Sequence, residues 1–536
     1  MPKFTLNDQE IEARPGQTII QAAADHGVEI PHYCYHPDLP IDGNCRMCLV
    51  EVEKMPKLTP SCTTVVSEGM VVRSENERVK QAVRGVLEFL LINHPVDCPV
   101  CDQAGECRLQ DYYMVYGLHT SEIPLELKVH KRKAVDLGPM VVLDQERCVL
   151  CSRCIRFCNH ITGTGEMQFF NRGDHVAIGT FEDRPLENPY SGNVVDICPV
   201  GALTSRDFRF KCRVWFLNST DSICAGCSTA CNVRIDHRDG TIFRLLPRRN
   251  TEVNSSWLCD EGRLSFHEIA KQDRIARPLM KGGDGLQAPV TWEDAARAVV
   301  SRIASAQSNG GGNSVLGFAS SCLTNEALYL FKKYLGGLGT TSIEFRFGNE
   351  DVAVTQREDQ ILRRIDKHPN TSGALKLGFG NGLGSIDGAI QAAKSGKVKT
   401  GIISYLEPLV RREGDEAAEA KLAELLESLE YSVVMAAHKA EWQSRADIVL
   451  PLAVWSEEDG TYTNFQGRVQ WAGRAIDPPA DALPAWEVFA MLLHASGENA
   501  PWMSVEEVFQ EMSLTEPALK GITIEQTRIP GVLANG

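Results

Sequence analysis

The stretch CVLCSRCIRFC at residues 148–158 decides the fold around it, because its cysteines follow the spacing C-x2-C-x2-C-x3-C. A further cysteine, in Cys198-Pro199, stands later in the chain. Three thiolates within seven residues can ligate a 4Fe–4S cube, whereas they would crowd a single zinc ion. The stretch therefore predicts a domain folded around an iron–sulfur cluster.

Five cysteines compete for the four ligand positions of this third set along the chain. In bacterial ferredoxins with two clusters, the fourth cysteine of such a run binds the other cluster. Here Cys198 is the only later cysteine that could belong to the second half of such a two-cluster module. Counting therefore predicts one cluster held by Cys148, Cys151, Cys154 and Cys198. Cys158 is expected to be a buried thiol that binds no metal.

The remaining cysteines crowd into the same half of the chain. Of the 18 cysteines among 536 residues, 17 precede residue 260 and only Cys322 follows. In a reducing compartment, such a density indicates metal ligation more than disulfide bonding. We therefore expect a metal-loaded N-terminal half.

The first set has the spacing C-x10-C-x2-C-x13-C and comprises Cys34, Cys45, Cys48 and Cys62. Four thiolates on a loop and a later strand can enclose a 2Fe–2S cluster. Gly43 and Asn44 would let backbone N–H groups approach the sulfurs. Upstream, the sequence predicts a hairpin about Asn7-Asp8 and a helix over 18–25. A four-cysteine zinc site, or cysteines packed as small apolar residues, remains the alternative.

The second set has the spacing H-x3-C-x2-C-x5-C and comprises His94, Cys98, Cys101 and Cys107. A helix is predicted to lead into it, with a capping box of Ser74 and Glu77 and a stop at Pro95. Three cysteines leave a four-iron cube one ligand short, and His94 is the nearest candidate. Alternatively, His94 only caps the helix and donates to a carbonyl group.

The fourth set has the spacing C-x2-C-x3-C-x27-C and comprises Cys224, Cys227, Cys231 and Cys259. Four thiolates again suit a 4Fe–4S cube, with a zinc site as the alternative. A hairpin with strands at 232–235 and 242–245, joined by Arg238-Asp239-Gly240, is predicted between its last two ligands. Cys212 and Cys322 match no set and are expected to be structural.

Composition excludes several classes of protein. The chain is 43% apolar and 23% charged, which excludes disordered and collagen-like chains. Its net charge of −15 argues against wholesale nucleic-acid binding. No apolar run approaches the ~20 residues of a membrane helix, and the N-terminus has no signal-peptide or twin-arginine layout. We therefore expect a soluble, cytoplasmic chain that meets a membrane only through partners.

The sequence offers no nucleophile with a general base, and no G-x-G-x-x-G follows a strand. The glycine-rich segment 378–382 has the wrong spacing for a dinucleotide site and is predicted to be a loop. Several one-electron centres without a hydride acceptor indicate a relay whose electrons enter and leave through other subunits. The alternative from a different class is a zinc-stapled scaffold, which would be colourless.

These sets, in this order, resemble the large iron–sulfur subunit of respiratory complex I, the proton-pumping NADH:quinone oxidoreductase. The resemblance covers roughly the first 270 residues and includes the segments DCPVCDQAGEC at 97–107 and CPVGAL at 198–203. It implies no catalytic residue on this chain, one 2Fe–2S cluster and three 4Fe–4S clusters.

The resemblance also implies a route. Electrons would pass from a flavin- and NADH-binding subunit to the first set, then to the third and the second. They would leave to a ferredoxin-like subunit and the quinone-site subunits of the peripheral arm. The fourth set resembles a cluster that lies off this path in the family. The implied location is the cytoplasmic side of the inner membrane, with the membrane arm met only indirectly.

The C-terminal half resembles a molybdopterin oxidoreductase domain in the segments SSCLTNEALY at 320–329, ADIVLP at 446–451 and EDGTYTNFQGRVQ at 458–470. Apolar strands predicted at 315–318, 401–405, 432–436 and 448–450 alternate with helices such as 326–335 and 416–429, which favours a layered α/β domain.

Two departures from active molybdenum enzymes stand out. Only 277 residues follow the last cluster ligand, about half of what the resemblance implies for such enzymes. The segment 341–349, where the family places its metal-ligating cysteine or selenocysteine, contains neither. We expect a degenerate scaffold without molybdopterin.

The predicted fold class is multidomain α/β and α+β. The predicted domains are a ferredoxin-like (β-grasp) 2Fe–2S domain at 1–75, a helical His/Cys 4Fe–4S segment at 76–138, a 4Fe–4S ferredoxin-type domain at 139–210, a molybdopterin-oxidoreductase-type 4Fe–4S subdomain at 211–270 and the degenerate molybdopterin oxidoreductase-like domain at 271–536. The runner-up is the iron–sulfur, diaphorase-linked subunit of an NAD-dependent formate dehydrogenase or hydrogenase. The missing ligand and the length disfavour the former, and the lack of a further cysteine set disfavours the latter.

Overall fold

The computed structural model describes residues 1–118, 120, 123–181, 184–269, 273–310, 314–345, 354–380, 383–410 and 415–535. By their packing, the residues divide into two compact units, Met1–Leu217 and Asn218–Gly536. The first three ligand sets belong to the first unit, and the fourth set belongs to the second.

The first unit begins with a small mixed sheet. Its strands are β1 (Lys3–Leu6), β2 (Gln9–Glu12), β3 (Leu49–Val52), β4 (Thr59–Pro60) and β5 (Val71–Arg73), in the order β2-β1-β5-β3-β4. The predicted hairpin is present, and its turn residues Asn7 and Asp8 have φ of 48° and 65°, as a two-residue hairpin turn requires. The predicted helix is also present as α1 (Ile19–Asp25), which packs on the sheet through Ile19, Ile20 and Ala23.

Two helices flank the second set. They are α2 (Glu77–Leu91) and α3 (Arg108–Tyr116). The buried face of α2 consists of Val79, Val83 and Leu87, which recur at the spacing of an amphipathic helix.

The predicted ends of α2 are wrong in detail. Asn76, and not Ser74, caps the helix, because its side chain accepts a hydrogen bond from the Val79 amide at 3.0 Å. Ser74 instead exchanges hydrogen bonds of 2.8 Å with Asn7. The helix ends at Leu91, before the predicted stop at Pro95. The sequence around Ser74 cannot show that this residue hydrogen-bonds to Asn7 in the distant hairpin turn.

The third set lies in a compact module of short strands and helices. Its elements are β6 (Val135–Asp136), β7 (Val141–Leu143), α4 (Arg153–His160), β8 (Met167–Phe170), β9 (Ala177–Thr180), α5 (Asn193–Asp196) and β10 (Leu203–Ser205). β10, β7 and β6 form one antiparallel sheet, and β8 pairs with β9. Leu150 and Ser152, just before α4, have φ of 52° and 62°. This left-handed backbone winds the ligand loop tightly.

The second unit begins with the strands and helix that carry the fourth set. They are β11 (Asn218–Ile223), β12 (Asn232–Arg238), β13 (Thr241–Pro247) and α6 (Asp260–Leu264). β12 and β13 form the predicted hairpin, with Asp239 and Gly240 at φ of 50° and 74°. The hairpin thus separates Cys231 from Cys259.

A seven-stranded sheet is the core of the second unit. Its strands are β14 (Leu279–Lys281), β15 (Gln287–Pro289), β16 (Val315–Phe318), β17 (Ile343–Glu344), β18 (Thr400–Tyr405), β19 (Tyr431–Ala436) and β20 (Ile448–Pro451), in the order β15-β14-β20-β19-β18-β16-β17. The four predicted strands are β16, β18, β19 and β20, which are parallel neighbours. Buried on both faces, they have the continuous apolar sequences typical of parallel strands.

Four helices pack on this sheet: α7 (Trp292–Gly310), α8 (Asn325–Gly337), α10 (Ile386–Lys394) and α11 (Asp415–Ser428). A further helix, α9 (Thr371–Lys376), packs against α8. The two predicted helices are α8 and α11. The segment 341–349, which is predicted to lack a metal ligand, includes β17. Its residues 346–349 lie outside the described residues. Of the predicted loop 378–382, the last two residues also lie outside them.

The last part of the chain adds a small sheet and three helices. They are β21 (Gly460–Thr463), β22 (Arg468–Ala472), α12 (Ala485–Ala495), α13 (Val505–Thr515), α14 (Ile524–Thr527) and β23 (Val532–Leu533). Two of the segments that resemble molybdopterin oxidoreductases meet here: the Glu326 carboxylate of α8 accepts hydrogen bonds from the Thr461 amide and hydroxyl at 2.9 and 2.7 Å. No helix within the described ranges has the length and apolar content needed to cross a membrane.

Candidate metal centres

The first set lies on the loop between α1 and β3 and just after β4. Its cysteines are buried, apart from the partly exposed Cys45. The Cys34 amide donates to Cys45 Sγ at 3.4 Å. Gly43 and Arg46 have positive φ of 72° and 58°, so the backbone turns back around the sulfurs. The structure therefore brings the three cysteines of this loop together with Cys62.

The thiols of the first set form one hydrogen-bonded group. Hydrogen bonds with the Cys45 and Cys62 thiols lower the pKa of Cys34, and the backbone amides of Cys45 and Asn44 act in the same direction. A hydrogen bond with Cys62 lowers the pKa of Cys48 to about 7. The same hydrogen bonds raise the pKa of Cys45 and of Cys62. The opposed shifts show that the four thiols lie in contact, and Asn44 contributes the backbone contact that its position predicts.

The second set lines a single cavity of about 150 Å³ that contains all four of its predicted ligands. Gly201 belongs to the third module and completes the wall. A Cβ atom at this position would lie 2.3 Å from Cys101 Sγ. Only glycine fits there, so the segment that follows Cys198 also supports the second set.

His94 has the properties of a ligand without a competing partner. Its Nδ1 is buried and has no hydrogen-bond partner among the described residues. Burial lowers the pKa of the imidazole to about 4, so the ring is neutral, as metal binding requires. The carbonyl oxygens of Leu91 and His94, near the end of α2, accept hydrogen bonds from Lys128 Nζ at 2.7 and 2.8 Å. Lys128 therefore performs the capping role that the alternative assigned to His94.

In the third set, the structure places Cys198 with the other predicted ligands and Cys158 apart from them. Cys148, Cys151, Cys154 and Cys198 line one small cavity, of about 20 Å³. Cys158 is fully buried but is not part of this lining. Burial and the neighbouring Glu166 carboxylate raise the pKa of its thiol to about 12. The structure thus brings these four sulfurs to one lining and leaves Cys158 outside it. That they ligate a cube stays a prediction.

The fourth set surrounds the start of α6. Gly262 lies between two of its sulfurs: a Cβ atom there would be 2.8 Å from Cys224 Sγ and 3.2 Å from Cys259 Sγ. The Gly262 amide also donates to Cys259 Sγ at 3.3 Å, and the Gly226 amide lies 3.5 Å from Cys224 Sγ. Burial raises the pKa of Cys224 to about 12. These glycines leave room around the sulfurs for a bound group.

The donor sets have the composition that iron–sulfur clusters use. In a 4Fe–4S cube each protein ligand binds its own iron, and in a 2Fe–2S cluster each iron binds two thiolates. All-sulfur sets, and one set with a neutral histidine, are the chemistry that iron–sulfur clusters require.

Sequence reasoning missed the buried cations among these loops. Arg147 is buried and forms two hydrogen bonds with Asp97, of 3.1 and 2.7 Å. Because Arg147 precedes Cys148 and Asp97 precedes Cys98, this pair joins the third set to the second. Arg153 and Arg156 are buried as well. The available signal was the quoted stretch itself, in which two arginines flank Cys154.

Family models match the chain in consecutive segments. They are described as a 2Fe-2S iron-sulfur cluster binding domain (residues 2–77), an NADH-ubiquinone oxidoreductase-G iron-sulfur binding region (84–122), a ferredoxin-like domain of NADH-quinone oxidoreductase subunit 3 (138–204), an NADH-ubiquinone oxidoreductase NDSU1/NuoG-like 4Fe-4S domain (217–267) and molybdopterin oxidoreductase (274–367 and 365–495). The predicted fold class and the predicted order of domain types are confirmed.

Curated relatives point the same way. The chain is 40% identical over 362 residues to the G-subunit of the NADH-quinone oxidoreductase of Rickettsia bellii, covering 68% of this chain and 52% of that protein. It is 30% identical over 625 aligned positions to the mitochondrial NADH-ubiquinone oxidoreductase 78 kDa subunit of Candida albicans, covering 96% of this chain and 86% of that one. The match therefore spans about half the length of the bacterial relative.

Among solved structures, one chain of an NAD+-reducing [NiFe]-hydrogenase in the H2-reduced state aligns with 30% identity, over 40% of this chain and 91% of that chain. The TM-score is 0.35, which is too low to inform the fold or the function.

Proposed function

The chain belongs to the family that comprises the bacterial NADH-quinone oxidoreductase G-subunits and the NADH-ubiquinone oxidoreductase 75 and 78 kDa subunits, and from that premise we propose that it is the electron-relay subunit of an NADH:quinone oxidoreductase. The family models identify binding domains of both the 2Fe–2S and the 4Fe–4S type. The proposal adds the number of clusters, their ligands, their order and the partners.

We assign one cluster to each set. The first set, Cys34, Cys45, Cys48 and Cys62, would hold a 2Fe–2S cluster. The other three would hold 4Fe–4S clusters: His94 with Cys98, Cys101 and Cys107; Cys148, Cys151 and Cys154 with Cys198; and Cys224, Cys227 and Cys231 with Cys259. Each cluster would lie in its own domain, with the boundaries at 75, 138, 210 and 270 proposed from the sequence.

The observation that supports this assignment best is the pair of lined cavities in the first unit. One is lined by His94 with its three cysteines and the other by Cys148, Cys151, Cys154 and Cys198. Cys198 is 40 residues from the nearest other cysteine before it, and folding returns it to the run. This grouping is what a cluster-binding function requires.

In the relay, the protein holds the clusters, shields them from solvent and adjusts their reduction potentials. Bound clusters supply one-electron carriers. Backbone amides such as those of Cys34 and Gly262 donate to ligand sulfurs, which stabilises negative charge on them. The neutral imidazole of His94 replaces one anionic ligand and so favours the reduced form of the second cluster. No side chain needs to exchange a proton or form a covalent intermediate.

We further propose the route and the partners that the resemblance implies. Electrons enter from a flavin- and NADH-binding subunit at the first set, pass through the third set to the second, and leave to a ferredoxin-like subunit on the quinone side. The fourth cluster lies off this path. The complex would face the cytoplasm at the inner membrane, with the membrane arm reached only through other subunits.

The last domain is proposed to be a structural remnant of a molybdopterin oxidoreductase. It retains the contacts between α8 and β21, including hydrogen bonds of 3.0 Å from Asn325 to the hydroxyls of Thr461 and Thr463. Segment 341–349 contains no cysteine to ligate molybdenum. We expect this domain to bind no molybdopterin.

Metal analysis of the purified chain tests the function. We expect about fourteen irons per chain with matching acid-labile sulfide, and no molybdenum. Electron paramagnetic resonance (EPR) of the reduced chain should show one two-iron and three four-iron signals. A colourless chain that contains zinc and no sulfide would contradict the proposal and support a scaffold. Stoichiometric molybdenum would contradict the remnant role of the last domain.

A further inference from the structure

Two buried arginines lie one helical turn apart on α4. Arg153 and Arg156 are only 8% and 7% exposed, and they flank Cys154 in the stretch that decides this part of the fold. Arginine is among the residues least often buried, unless it is paired. Their partners therefore show what holds them there.

Arg156 bonds to loops of two different ligand sets. Its Nη2 donates to the carbonyl oxygen of Cys34 and, at 3.3 Å, to that of Cys151. Its Nη1 donates to the Pro40 carbonyl and its Nε to Ser152 Oγ at 2.9 Å. One planar guanidinium thus joins the backbone of a first-set cysteine to the backbone of a third-set cysteine.

Arg153 forms a second bridge between the same loops. Its Nη2 donates to the Tyr35 carbonyl and its Nη1 to the Ile197 carbonyl at 3.0 Å. Tyr35 follows Cys34, and Ile197 precedes Cys198. The side chains of Ser152 and Asn44 add further links, to the Asp42 carboxylate and, at 3.4 Å, to the Leu150 carbonyl.

Neither arginine has an acidic partner. Within the described ranges, no carboxylate lies within ion-pair distance of either guanidinium, although acids pair with Arg147 in the same module. Arginine does not lose its charge in proteins, and a buried unpaired charge is strongly destabilising. The ligated sulfurs would supply compensating negative charge, and the Asp42 carboxylate lies one hydroxyl group away from Arg156, on Ser152 Oγ.

We propose that Arg156 and Arg153 are positioning residues for electron transfer between the clusters of the first and third sets. The inference rests on the proposed function and goes beyond it, because these side chains ligate nothing. They fix the spacing of the two ligand loops through carbonyl groups on or beside the ligands, and their positive charge offsets both anionic sites.

The electron transfer itself needs no atom or electron from the two arginines. One electron leaves the reduced 2Fe–2S site, which returns to its oxidised form, and one electron is gained by the oxidised 4Fe–4S site. The guanidinium groups keep their charge and their protons throughout. A fixed positive charge between two sites stabilises the extra electron on either of them, so removal of the charge should lower both reduction potentials.

The test uses the cluster-loaded full chain and three substitutions. Arg156→Met removes the charge and the bridges, and Arg156→Lys keeps the charge but cannot span three carbonyl groups with planar geometry. Arg206→Met is the matched control, because Arg206 is an exposed arginine of the same module that pairs with Asp136 at 2.5 Å. Iron and sulfide content, potentiometric EPR titration and the magnetic interaction between the two reduced clusters are measured for each.

We expect Arg156→Met to lower both potentials and to weaken the magnetic interaction. Arg156→Lys should keep the potentials near those of the unmodified chain while the interaction weakens. If Arg156→Met loads its clusters and matches Arg206→Met in both measurements, the positioning role is refuted. If it does not load, an unchanged interaction in Arg156→Lys refutes it instead. An unmodified chain without iron and sulfide would refute the proposed function itself, whatever the variants show.

Discussion

The two units bury different ionisable groups without an ion-pair partner. In the first unit, Arg153 and Arg156 are buried without a carboxylate partner. In the second, Glu326 and Glu458 are fully buried, and no described cation lies within ion-pair distance of either. Burial raises the pKa of Glu326 to about 7 and that of Glu458 to about 8.

The difference shows which buried charges indicate a ligand. A glutamate can take up a proton and become neutral, so its burial needs no partner. An arginine cannot, so its burial needs an anion. The arginines therefore point to negatively charged clusters in the first unit, whereas the glutamates of the second unit are compatible with a plain protein core.

Loss of a cluster should affect the two units unequally. Cys198→Ser should remove four irons per chain and deprive Arg153 and Arg156 of one of their two anionic sites, which destabilises the first unit by up to about 3–5 kcal/mol. Cys227→Ser should also remove four irons. Near that set, however, Lys367 Nζ already pairs with Glu261 and Glu358 at 3.0 and 2.9 Å, so the loss of stability should be smaller. Pulse proteolysis and iron analysis measure both effects.

The same pair of variants tests the route. Cys198→Ser should stop electron flow from the first set to the second. Cys227→Ser should leave much of the flow, since the fourth cluster is proposed to lie off the path.

Equal destabilisation of the two units would contradict the charge comparison. Severe loss of flow in an intact Cys227→Ser assembly would contradict the route.

The buried acids should make the stability of the second unit depend on pH. Their folded pKa values lie above the ordinary value of 4.5, so the unfolded chain loses protons first as pH rises. The free energy of unfolding should therefore fall between about pH 4.5 and pH 8, by several kcal/mol. Glu458→Gln should flatten this decline in thermal unfolding measured from pH 5 to pH 8.5.

The control for that series is Glu293→Gln, because Glu293 is exposed on α7 and pairs with Arg297, one helical turn away, at 2.6 Å. Its unfolding should keep the pH dependence of the unmodified chain. A decline of the same size in Glu458→Gln would mean that this carboxyl group is not the source.

His94 allows a smaller change of charge at a single site. His94→Cys should keep a cluster but lower its reduction potential, since a neutral ligand becomes an anionic one. The other three potentials should not move, which makes them the internal control in an EPR titration. If no cluster shifts, His94 is not a ligand.

Much of this architecture is readable from the sequence, because local patterns carry it. The hairpin turn at Asn7-Asp8, the four parallel strands and helix α8 follow from turn chemistry and apolar periodicity. The ligand spacings carry equally local information. These features need no knowledge of which distant segments meet.

The features that sequence reasoning missed depend on long-range contacts. Ser74 looked like a helix cap but is used by Asn7, and Lys128 caps α2 from 37 residues away. The arginines of α4 contact carbonyl groups more than 100 residues earlier in the chain. A carbonyl partner leaves no trace in the sequence, because every residue has one.

The smallest expected effect is that of Cys158→Ser, which tests whether Cys198 or Cys158 is the fourth ligand of the third set. Cys158 is part of the quoted run, but its backbone carbonyl accepts hydrogen bonds from Gly165 and Thr162 at 3.1 Å, and its thiol is not in the lining of the third cavity. Cys158→Ser should therefore leave all four EPR signals and the iron content unchanged, with at most a small loss of stability from a polar atom in an apolar site. Loss of the third signal in Cys158→Ser, with retention in Cys198→Ser, would show that the run supplies all four ligands and that Cys198 is the structural thiol. The charge argument would then survive, since Arg153 would still face the thiolate of Cys151, but the second bridge would no longer end beside a ligand.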